Sequence, residues 1–371
     1  MKKRILLMYS PGSSGHQQAA MAIQAAIREI RPESEVLTID LFNYSSPILE
    51  KMIVKVYLGL LKTMPRVWGY LYDNHRVLSM VSWFMAMSYR MSSNKAKAIF
   101  EDFQPQAIVC TQAFPCGVMA DYKKRFSSNF LLVGVLTDYL PHSYWVSEEV
   151  DRYVVSSLQA RQYLARSGIT EDKIINYGIP VHPKFRCRNN QRQILIKKLG
   201  LDPGMPIILI MGGCHGAGPI EKTVYQLGKI GLDFQIIVIT GINTSLKNRL
   251  EKKKGYFKKP VRILGYADNI DQIMEISTLV ITKPGGVTCA EALAKKLPIV
   301  ILKPIPGQET NNTRFLIEQG AGVGVNSQEK VAAVVSRLLK EPDELDRMRR
   351  NSREISNPDS ALKIARLALE G

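Results

Sequence analysis

The same three-part pattern occurs once in each half of the chain: an apolar strand, a glycine-rich turn and then a helix. In the first half, the run Arg4–Tyr9 leads into such a turn, and the residues from Gln17 to Ile30 place apolar side chains at helical spacing. In the second half, the run Ile207–Met211 leads into a second turn of this kind. A strand followed by a helix is the repeating unit of a parallel sheet. The pattern therefore predicts an α/β fold with two doubly wound parallel-sheet domains.

Further apolar runs predict more strands, and continuous apolar strands between helical segments indicate a parallel sheet that is buried on both faces. These runs are Ala107–Cys110, Phe130–Leu136, Tyr153–Ser156, Gln235–Thr240, Val261–Leu264, Leu279–Thr282 and Ile299–Leu302. The polar, basic stretch Lys184–Arg192 separates the two halves, so we expect domains at 1–184 and 185–371. The last helix, at about Ser360–Glu370, is amphipathic and is a candidate to pack back on the first domain. Two such sheets are expected to face a cleft at the carboxyl ends of their strands.

Charge and cysteine content restrict the function classes. The 50 Lys and Arg residues exceed the 33 Asp and Glu residues, and the resulting net charge of +17 indicates a polyanionic partner. A nucleic acid is not expected, because the sequence carries no RNP, zinc-finger or recognition-helix pattern. The five cysteines form no Cys-x-x-Cys pair, which indicates neither a disulfide framework nor a zinc site and favours a reducing cytosol. No run approaches the roughly 20 apolar residues of a membrane span, so we expect at most a peripheral protein.

Several motifs resemble those of one enzyme family. They are Gly15-His16, Leu136-Thr137-Asp138-Tyr139 with His142 and Trp145, Val150–Ser156, Tyr177–Val181, Gly265–Ile270 and Thr282–Ala292. Together they span almost the whole chain and resemble the monogalactosyl- and glucosyl-diacylglycerol synthases. The same donor-site pattern occurs in the related enzyme that adds N-acetylglucosamine to the undecaprenyl-linked peptidoglycan precursor. One departure is the first loop, which has Ser-Ser-Gly-His where the family usually has a run of glycines before the histidine.

The resemblance implies a GT-B fold, with two Rossmann-like domains facing a cleft, and an inverting hexose transfer from a UDP-sugar to diacylglycerol at the cytoplasmic face of a membrane. The leaving UDP carries negative charge, and the sequence has no Asp-x-Asp motif that would hold a metal for it. Glycine-rich loops and helix amino ends offer free N–H groups for phosphate instead, so no metal or cofactor is expected. The candidates for this role are Gly212, Gly213, Gly285, Gly286, Val287 and Thr288. Alone, such glycines also make ordinary tight turns.

The resemblance assigns other residues to the donor. Glu291 would accept both ribose hydroxyls, although a glutamate early in a helix is also favourable for the helix itself. Gln308 and Glu309 match a sugar-contacting loop of the family, and a solvated polar loop is the alternative. Tyr266 and Ala267 would hold uracil through their backbone.

His16 is the candidate general base. It follows the first strand at the start of a helix, where the positive end of the helix dipole keeps the imidazole neutral. A neutral ring can take the proton of the acceptor hydroxyl. Asp138 would orient His16 or act as a second base. Gly15, His142 and Trp145 are expected on the acceptor side, with ordinary packing as the alternative for His142 and Trp145.

Residues 48–90 have a different character from the rest of the chain. The cations Lys51, Lys55, Lys62 and Arg66 fall on one side of a predicted helix whose other face is apolar, which is typical of a helix in an anionic membrane interface. A second uncharged segment, Val77–Tyr89, contains Trp83 and Phe84 and predicts an interfacial or buried helix. The alternative is a helix pair that covers the sheet.

Three other functions remain open. The first is transfer of N-acetylglucosamine to a polyprenyl-linked precursor, which the acceptor-side residues from Thr137 to Trp145 argue against. The second is a nucleotide-sugar 2-epimerase, and the third, outside enzymes, is nucleic-acid binding. UDP-glucose and UDP-galactose differ at one hydroxyl, so the sequence does not choose between them.

Overall fold

The computed structural model describes residues 2–10, 15–41, 75–141, 143–187, 192–302, 304 and 307–371, and for residues 75–87, 143 and 328 it describes the backbone alone. The chain divides into two compact units. The first comprises residues 1–183, 305–311 and 359–371, and the second comprises 184–304 and 312–358. The division at 183/184 lies one residue from the predicted boundary, and the last helix belongs to the first unit.

Each unit contains a six-stranded parallel sheet. In the first unit the strand order is β2-β1-β3-β4-β5-β6, and in the second it is β12-β11-β10-β7-β8-β9. The strands are β1 (Arg4–Tyr9), β2 (Glu35–Asp40), β3 (Ala107–Cys110), β4 (Leu131–Val135), β5 (Arg152–Val155), β6 (Ile174–Asn176), β7 (Ile207–Met211), β8 (Gln235–Ile239), β9 (Val261–Leu264), β10 (Leu279–Thr282), β11 (Ile299–Ile301) and β12 (Gly322–Gly324). The prediction of two doubly wound α/β domains is confirmed.

Helices surround both sheets. Those among the described residues are α1 (Gly15–Ile30), α2 (His75–Phe103), α3 (Ala113–Arg125), α4 (Leu158–Arg166), α5 (Arg192–Lys198), α6 (Ile220–Leu227), α7 (Thr244–Lys252), α8 (Ile270–Ile276), α9 (Gly286–Ala294), α10 (Gln308–Glu318), α11 (Val331–Lys340), α12 (Pro342–Ile355) and α13 (Ser360–Glu370).

Burial explains which strands the sequence predicted. Residues Ile5–Met8 of the central strand β1 are completely buried, because helices cover both faces of the sheet. The three strands that the apolar pattern missed, β2, β6 and β12, all lie at sheet edges. β2 is only partly buried, and β6 and β12 have three residues each. An edge strand buries less of its surface, so its sequence carries a weaker apolar signal.

The last helix of the chain completes the core of the first unit. α13 packs on α1, and its Ile364, Ala365 and Ala368 are fully buried in the same cluster as alanines of α1. The Ser360 hydroxyl fixes the start of α13, since it donates to the Ile179 carbonyl oxygen at 2.7 Å and accepts from the Val181 N–H at 3.3 Å.

The helix predicted over Val77–Tyr89 is longer than expected. It is the first part of the 29-residue helix α2, so the expectation that it ends before Arg90 is wrong. Residues beyond Arg90 continue the helix because they pack on α3: the Phe100 ring stacks on Tyr122 with centroids 4.1 Å apart, and the Ser93 hydroxyl donates to Asp121 Oδ2 at 2.6 Å.

The predicted membrane residues fall outside what the structure describes. Lys51, Lys55, Lys62 and Arg66 lie in the gap between 41 and 75, and the side chains of Trp83 and Phe84 are likewise not described. Within the described ranges, no helix combines the length and apolar character needed to cross a bilayer.

Candidate active site

His16 lies where three neighbouring strands of the first sheet end. β1, β3 and β4 are adjacent and parallel, so the residues that follow them meet at one edge of the sheet. His16 is the second residue of α1, which follows β1; Thr111 follows β3, and Thr137 and Asp138 follow β4. We call these four residues the His16 cluster.

The contact with the Thr111 carbonyl oxygen fixes the tautomer of the His16 ring. Its Nδ1 is 3.0 Å from the Thr111 carbonyl oxygen and 2.9 Å from Thr137 Oγ1. A carbonyl oxygen only accepts, so in the neutral ring Nδ1 carries the proton and donates it. Nε2 is then the basic nitrogen. The Thr111 hydroxyl also donates to the His16 carbonyl oxygen at 2.8 Å, which holds the first turn of α1 in place.

The surroundings of the ring keep it neutral. Burial lowers the pKa of His16 below its usual value, while Asp138 and the hydrogen bond to Thr111 oppose this shift. Asp138 therefore acts on His16 through its charge, whereas the ring is held by Thr111 and Thr137. The sequence prediction gave Thr111 no role, although its place directly after an apolar strand was the signal that could have found it.

The acceptor-side predictions have different outcomes. Gly15 is the first residue of α1, beside His16, and its role remains a prediction. His142 lies outside the described residues. The Trp145 side chain is 5% exposed and packs in the core cluster that contains Met119 and Tyr153, as the packing alternative expects. Its role in an acceptor pocket stays a prediction.

In the second unit, the glycine turn after β7 is shaped by close backbone contacts. A Cβ on Gly212 would lie 2.0 Å from the Ala217 carbonyl oxygen, and Gly213 has φ of +68°. The turn also meets the segment after β8, where the Ile242 N–H donates to the Cys214 carbonyl oxygen at 2.8 Å. Both glycines are thus required by the turn itself. Their part in phosphate binding stays a prediction.

The loop before α9 differs from this turn. Gly285 has φ of −69° at the N-cap of α9, and among the described residues a Cβ there would meet no atom within 4 Å. The turn therefore does not require a glycine, and the missing side chain leaves open space over the first turn of the helix. Gly286, Val287 and Thr288 form that turn, whose N–H groups have no partner within the helix. A helix amino end of this kind binds anions.

The two loops are neighbours. β7 and β10 pair in parallel with Met211 opposite Thr282, so both loops leave the same edge of the sheet. The aliphatic stem of Lys283 lies 3.7 Å from the position of a Cβ on Gly218. Lys283 therefore brings a positive charge to this pair of loops. The sequence prediction gave it no role, although a lysine directly before Pro284 and Gly285 could have suggested one.

Glu291 lies in the second turn of α9 and is partly buried. Its pKa is raised to about 7, mainly by burial; Lys184 opposes the shift, and Asp271 adds to it. Near physiological pH, such a carboxyl group is about half ionised. A ligand that donates hydrogen bonds to it therefore shifts it toward the ionised form.

The remaining residues predicted to bind the donor lie in two places, the segment before α8 and the first turn of α10. Tyr266 and Ala267 follow β9, and the Tyr266 side chain is 54% exposed. Gln308 and Glu309 do not lie in a loop as expected, since they are the first residues of α10. The loop pattern was misleading because Gly307, with φ of +99°, ends the turn directly before them. Further along α10, the Asn312 amide donates to the Pro284 carbonyl oxygen at 3.0 Å.

Within the described ranges, no group of three or more His, Cys, Asp or Glu side chains is placed to hold a metal ion. That the reaction needs no metal stays a prediction.

Known proteins resemble both halves of the chain. Residues 16–181 match the monogalactosyldiacylglycerol (MGDG) synthase family, and residues 207–364 match the glycosyltransferase family 28 C-terminal domain. The processive diacylglycerol beta-glucosyltransferase of Bacillus subtilis (strain 168) is 29% identical over 365 residues, which cover 97% of this chain and 92% of the relative. The protein of the same name from Bacillus thuringiensis (strain Al Hakam) is 28% identical over 370 residues, with coverage of 99% and 93%.

Solved structures show the same fold at low identity. MurG of Acinetobacter baumannii has a TM-score of 0.65 and 13% identity, and the match covers 100% of both chains. The UDP-GlcNAc 2-epimerase from Neisseria meningitidis, bound to UDP-GlcNAc, has a TM-score of 0.62 and 12% identity, with coverage of 99% and 100%. The GT-B fold is thus confirmed, and it is shared by transferases and epimerases. The family matches separate these classes: the first half of the chain is similar to MGDG synthases and the second half to the family 28 C-terminal domain, so the chain is a glycosyltransferase.

Proposed function

We propose that this enzyme transfers glucose from UDP-glucose to diacylglycerol with inversion at the anomeric carbon, that His16 is the general base, and that the protein works as a peripheral protein at the cytoplasmic face of a membrane. The choice of glucose and of diacylglycerol is supported by the name of the curated relatives, diacylglycerol beta-glucosyltransferase. A β-linked product also agrees with a mechanism that has one base and one displacement.

The observation that carries the proposal is the hydrogen bonding of the His16 ring. Because Nδ1 donates to the Thr111 carbonyl oxygen, Nε2 is free of a proton when the ring is neutral. In the reaction, the acceptor oxygen bonds to the anomeric carbon as the bond from that carbon to the UDP oxygen breaks. The hydroxyl proton passes to Nε2, and UDP leaves with the electron pair.

The donor would bind at the loops of the second unit. The first-turn N–H groups of α9 and the Lys283 ammonium offer positive charge to the diphosphate without a metal. The Glu291 carboxylate would accept the two ribose hydroxyls, and Gln308, Glu309, Tyr266 and Ala267 would complete the contacts to sugar and base. These assignments rest on the family pattern and on the open space at Gly285.

One transfer assay tests this function. The protein is incubated with chelator, with radiolabelled UDP-glucose or UDP-galactose, and with vesicles that contain diacylglycerol; the lipids are then resolved. We expect label in a glycolipid from UDP-glucose, with the large anomeric proton coupling of a β-glycoside. An α-linked product would overturn the displacement mechanism. Label confined to an epimerised nucleotide sugar would favour the 2-epimerase, and a strict need for added metal would overturn the metal-free site.

The membrane contact is tested separately with vesicles of phosphatidylcholine alone or mixed with phosphatidylglycerol. We expect binding only to the anionic vesicles, and less of it as salt screens the basic residues. Equal partition onto both kinds of vesicle would contradict an electrostatic contact.

A further inference from the structure

Three charged side chains in the second unit surround one another next to the donor loops. The Lys184 ammonium lies 3.7 Å from Asp271 Oδ1 and donates to the Asp268 carbonyl oxygen. Asp271 lies in the first turn of α8 and is almost fully buried. Glu291 on α9 is within electrostatic range of both. We call Lys184, Asp271 and Glu291 the charge triad.

A second lysine–carboxylate pair lies one helical turn further along the same two helices. Lys295, four residues after Glu291, donates to Glu275 Oε2 at 2.9 Å and to the Cys187 carbonyl oxygen at 2.6 Å. Glu275 is four residues after Asp271 on α8. Lys184 and Lys295 thus each link the segment after residue 183 to α8. Lys184 also lowers the pKa of Glu291.

The triad contains one positive charge and two carboxyl groups. Two carboxylates that share one cation cannot both ionise without cost, and Glu291 is the one whose pKa is raised, so Glu291 is the one kept partly protonated. A ribose diol donates hydrogen bonds and therefore favours the ionised form of the carboxylate that accepts them.

We propose that Lys184 and Asp271 are positioning residues for donor binding: they set the charge on Glu291 in opposite directions, so that binding of the nucleotide sugar expels a proton from it. This inference rests on the proposed donor site. Lys184 favours the Glu291 carboxylate that the ribose needs, and Asp271 disfavours it. The donor is consequently bound more tightly as pH rises toward the range in which Glu291 is ionised.

Other charged groups lie on the elements that pack against α9. α12 packs against α9 and carries Asp343, Glu344, Asp346, Arg347, Arg349, Arg350, Arg353 and Glu354. Of these, Glu344 pairs with Arg337 and Asp346 pairs with Arg349. From α8 and the segment 184–187, the charged groups are Lys184, Arg186, Asp271 and Glu275, and Glu275 pairs with Lys295. The pKa of Glu291 responds to burial, then Lys184, then Asp271.

The test is calorimetric titration of the full chain with UDP-glucose, whose two phosphates are both esterified and do not titrate near neutral pH. For the wild type, we expect the apparent Kd to weaken about tenfold from about pH 8 to about pH 6, because the binding-competent fraction falls about tenfold for each unit below the pKa. Titration near pH 7 in two buffers of different ionisation enthalpy should also reveal release of part of a proton. Glu291→Gln should release none.

The variants separate this role from a structural one. Lys184→Met should move the loss of affinity to higher pH, Lys184→Arg should restore the wild-type profile, and Asp271→Asn should move it to lower pH. Lys295→Met is the matched control, because it breaks the equivalent pair one turn away and should leave the profile unchanged.

Shifts of the same sign in Lys184→Met and Asp271→Asn, no shift in either, or a Lys295→Met profile like that of Lys184→Met would overturn the inference. Thermal unfolding of each variant checks that it is folded at the titration temperature. If the wild type bound no UDP-glucose at any pH, the proposed donor site itself would fail, and this inference with it.

Discussion

His16 in the first unit and Glu291 in the second are both partly buried ionisable groups, and burial favours the neutral form of each. For His16 the pKa falls, and the neutral ring is the form that acts as a base. For Glu291 the pKa rises, and the neutral carboxyl is the form that binds a diol less well. Burial therefore favours the active form of His16 but disfavours the donor-binding form of Glu291. The comparison explains why His16 is held by neutral groups, Thr111 and Thr137, whereas Glu291 has a lysine beside it.

Replacing the base should have the largest effect. His16→Ala removes the proton acceptor, so we expect kcat to fall by about 100-fold or more. The Kd for UDP-glucose should stay within about twofold, because the change is not in the donor loops. Steady-state kinetics and calorimetry measure the two quantities. A kcat near that of the wild type would remove His16 from the mechanism.

Replacing the donor-binding carboxylate should change the KM for the donor and leave kcat nearly unchanged. Glu291→Gln loses charge-assisted hydrogen bonds worth about 1.5–3 kcal/mol, so the KM for the donor should rise roughly 10- to 150-fold. The kcat at saturating donor should change little. A large drop in kcat with an unchanged KM would assign Glu291 to the chemical step and break the comparison.

The pH dependence should separate the two groups in one protein. His16 acts when unprotonated, and burial lowers its pKa below the usual value, so kcat at saturating donor should be constant at neutral and higher pH and should fall by about tenfold for each pH unit below the pKa. Donor affinity should already decline below about pH 7, where Glu291 takes up a proton. Rates and affinities measured over the same pH series would show this order. A kcat that declines at higher pH than the affinity does would contradict it.

A pair of glycine variants should have the smallest effect. Gly212→Ala forces a Cβ against the Ala217 carbonyl oxygen and should lower the free energy of unfolding by about 1–3 kcal/mol. In Gly285→Ala the new Cβ would meet no described atom, and the φ at this position is allowed for alanine, so the free energy of unfolding should be unchanged. The affinity for the donor should fall several-fold, by about 1 kcal/mol. Chemical denaturation and calorimetry distinguish them. Unchanged affinity in Gly285→Ala would mean that the space over α9 is not used by the donor.

The sequence predicted the centres of the sheets better than their edges. β1, β3, β7, β9 and β10 have the predicted bounds. Four of them are interior strands, which are apolar because they are buried on both faces, whereas β9 is an edge strand with the exposed Arg262. The edge strands β2, β6 and β12 gave no such signal. The end of α2 was misplaced because Arg90 interrupts the apolar run, although the packing of Phe100 on Tyr122 carries the helix further.

Sequence patterns were also more informative for some functional residues than for others. The motifs identified His16, Glu291 and the glycine loops, because each occurs at a recognisable distance from a strand end. Their partners could not be found in this way. Thr111 is 95 residues from His16, and Lys184 lies in the connecting stretch that the sequence marked only as basic. Such partners are brought together by strand order and helix packing, which local patterns do not encode.

The claim that chemistry and donor binding are divided between His16 and Glu291 is tested most directly by a double-mutant cycle on kcat/KM. The account predicts that His16→Ala together with Glu291→Gln loses the product of the two single losses, within about twofold, since independent sites are additive to about 0.5 kcal/mol. A double variant no worse than His16→Ala alone would show that the two residues act as one unit, and would contradict the account.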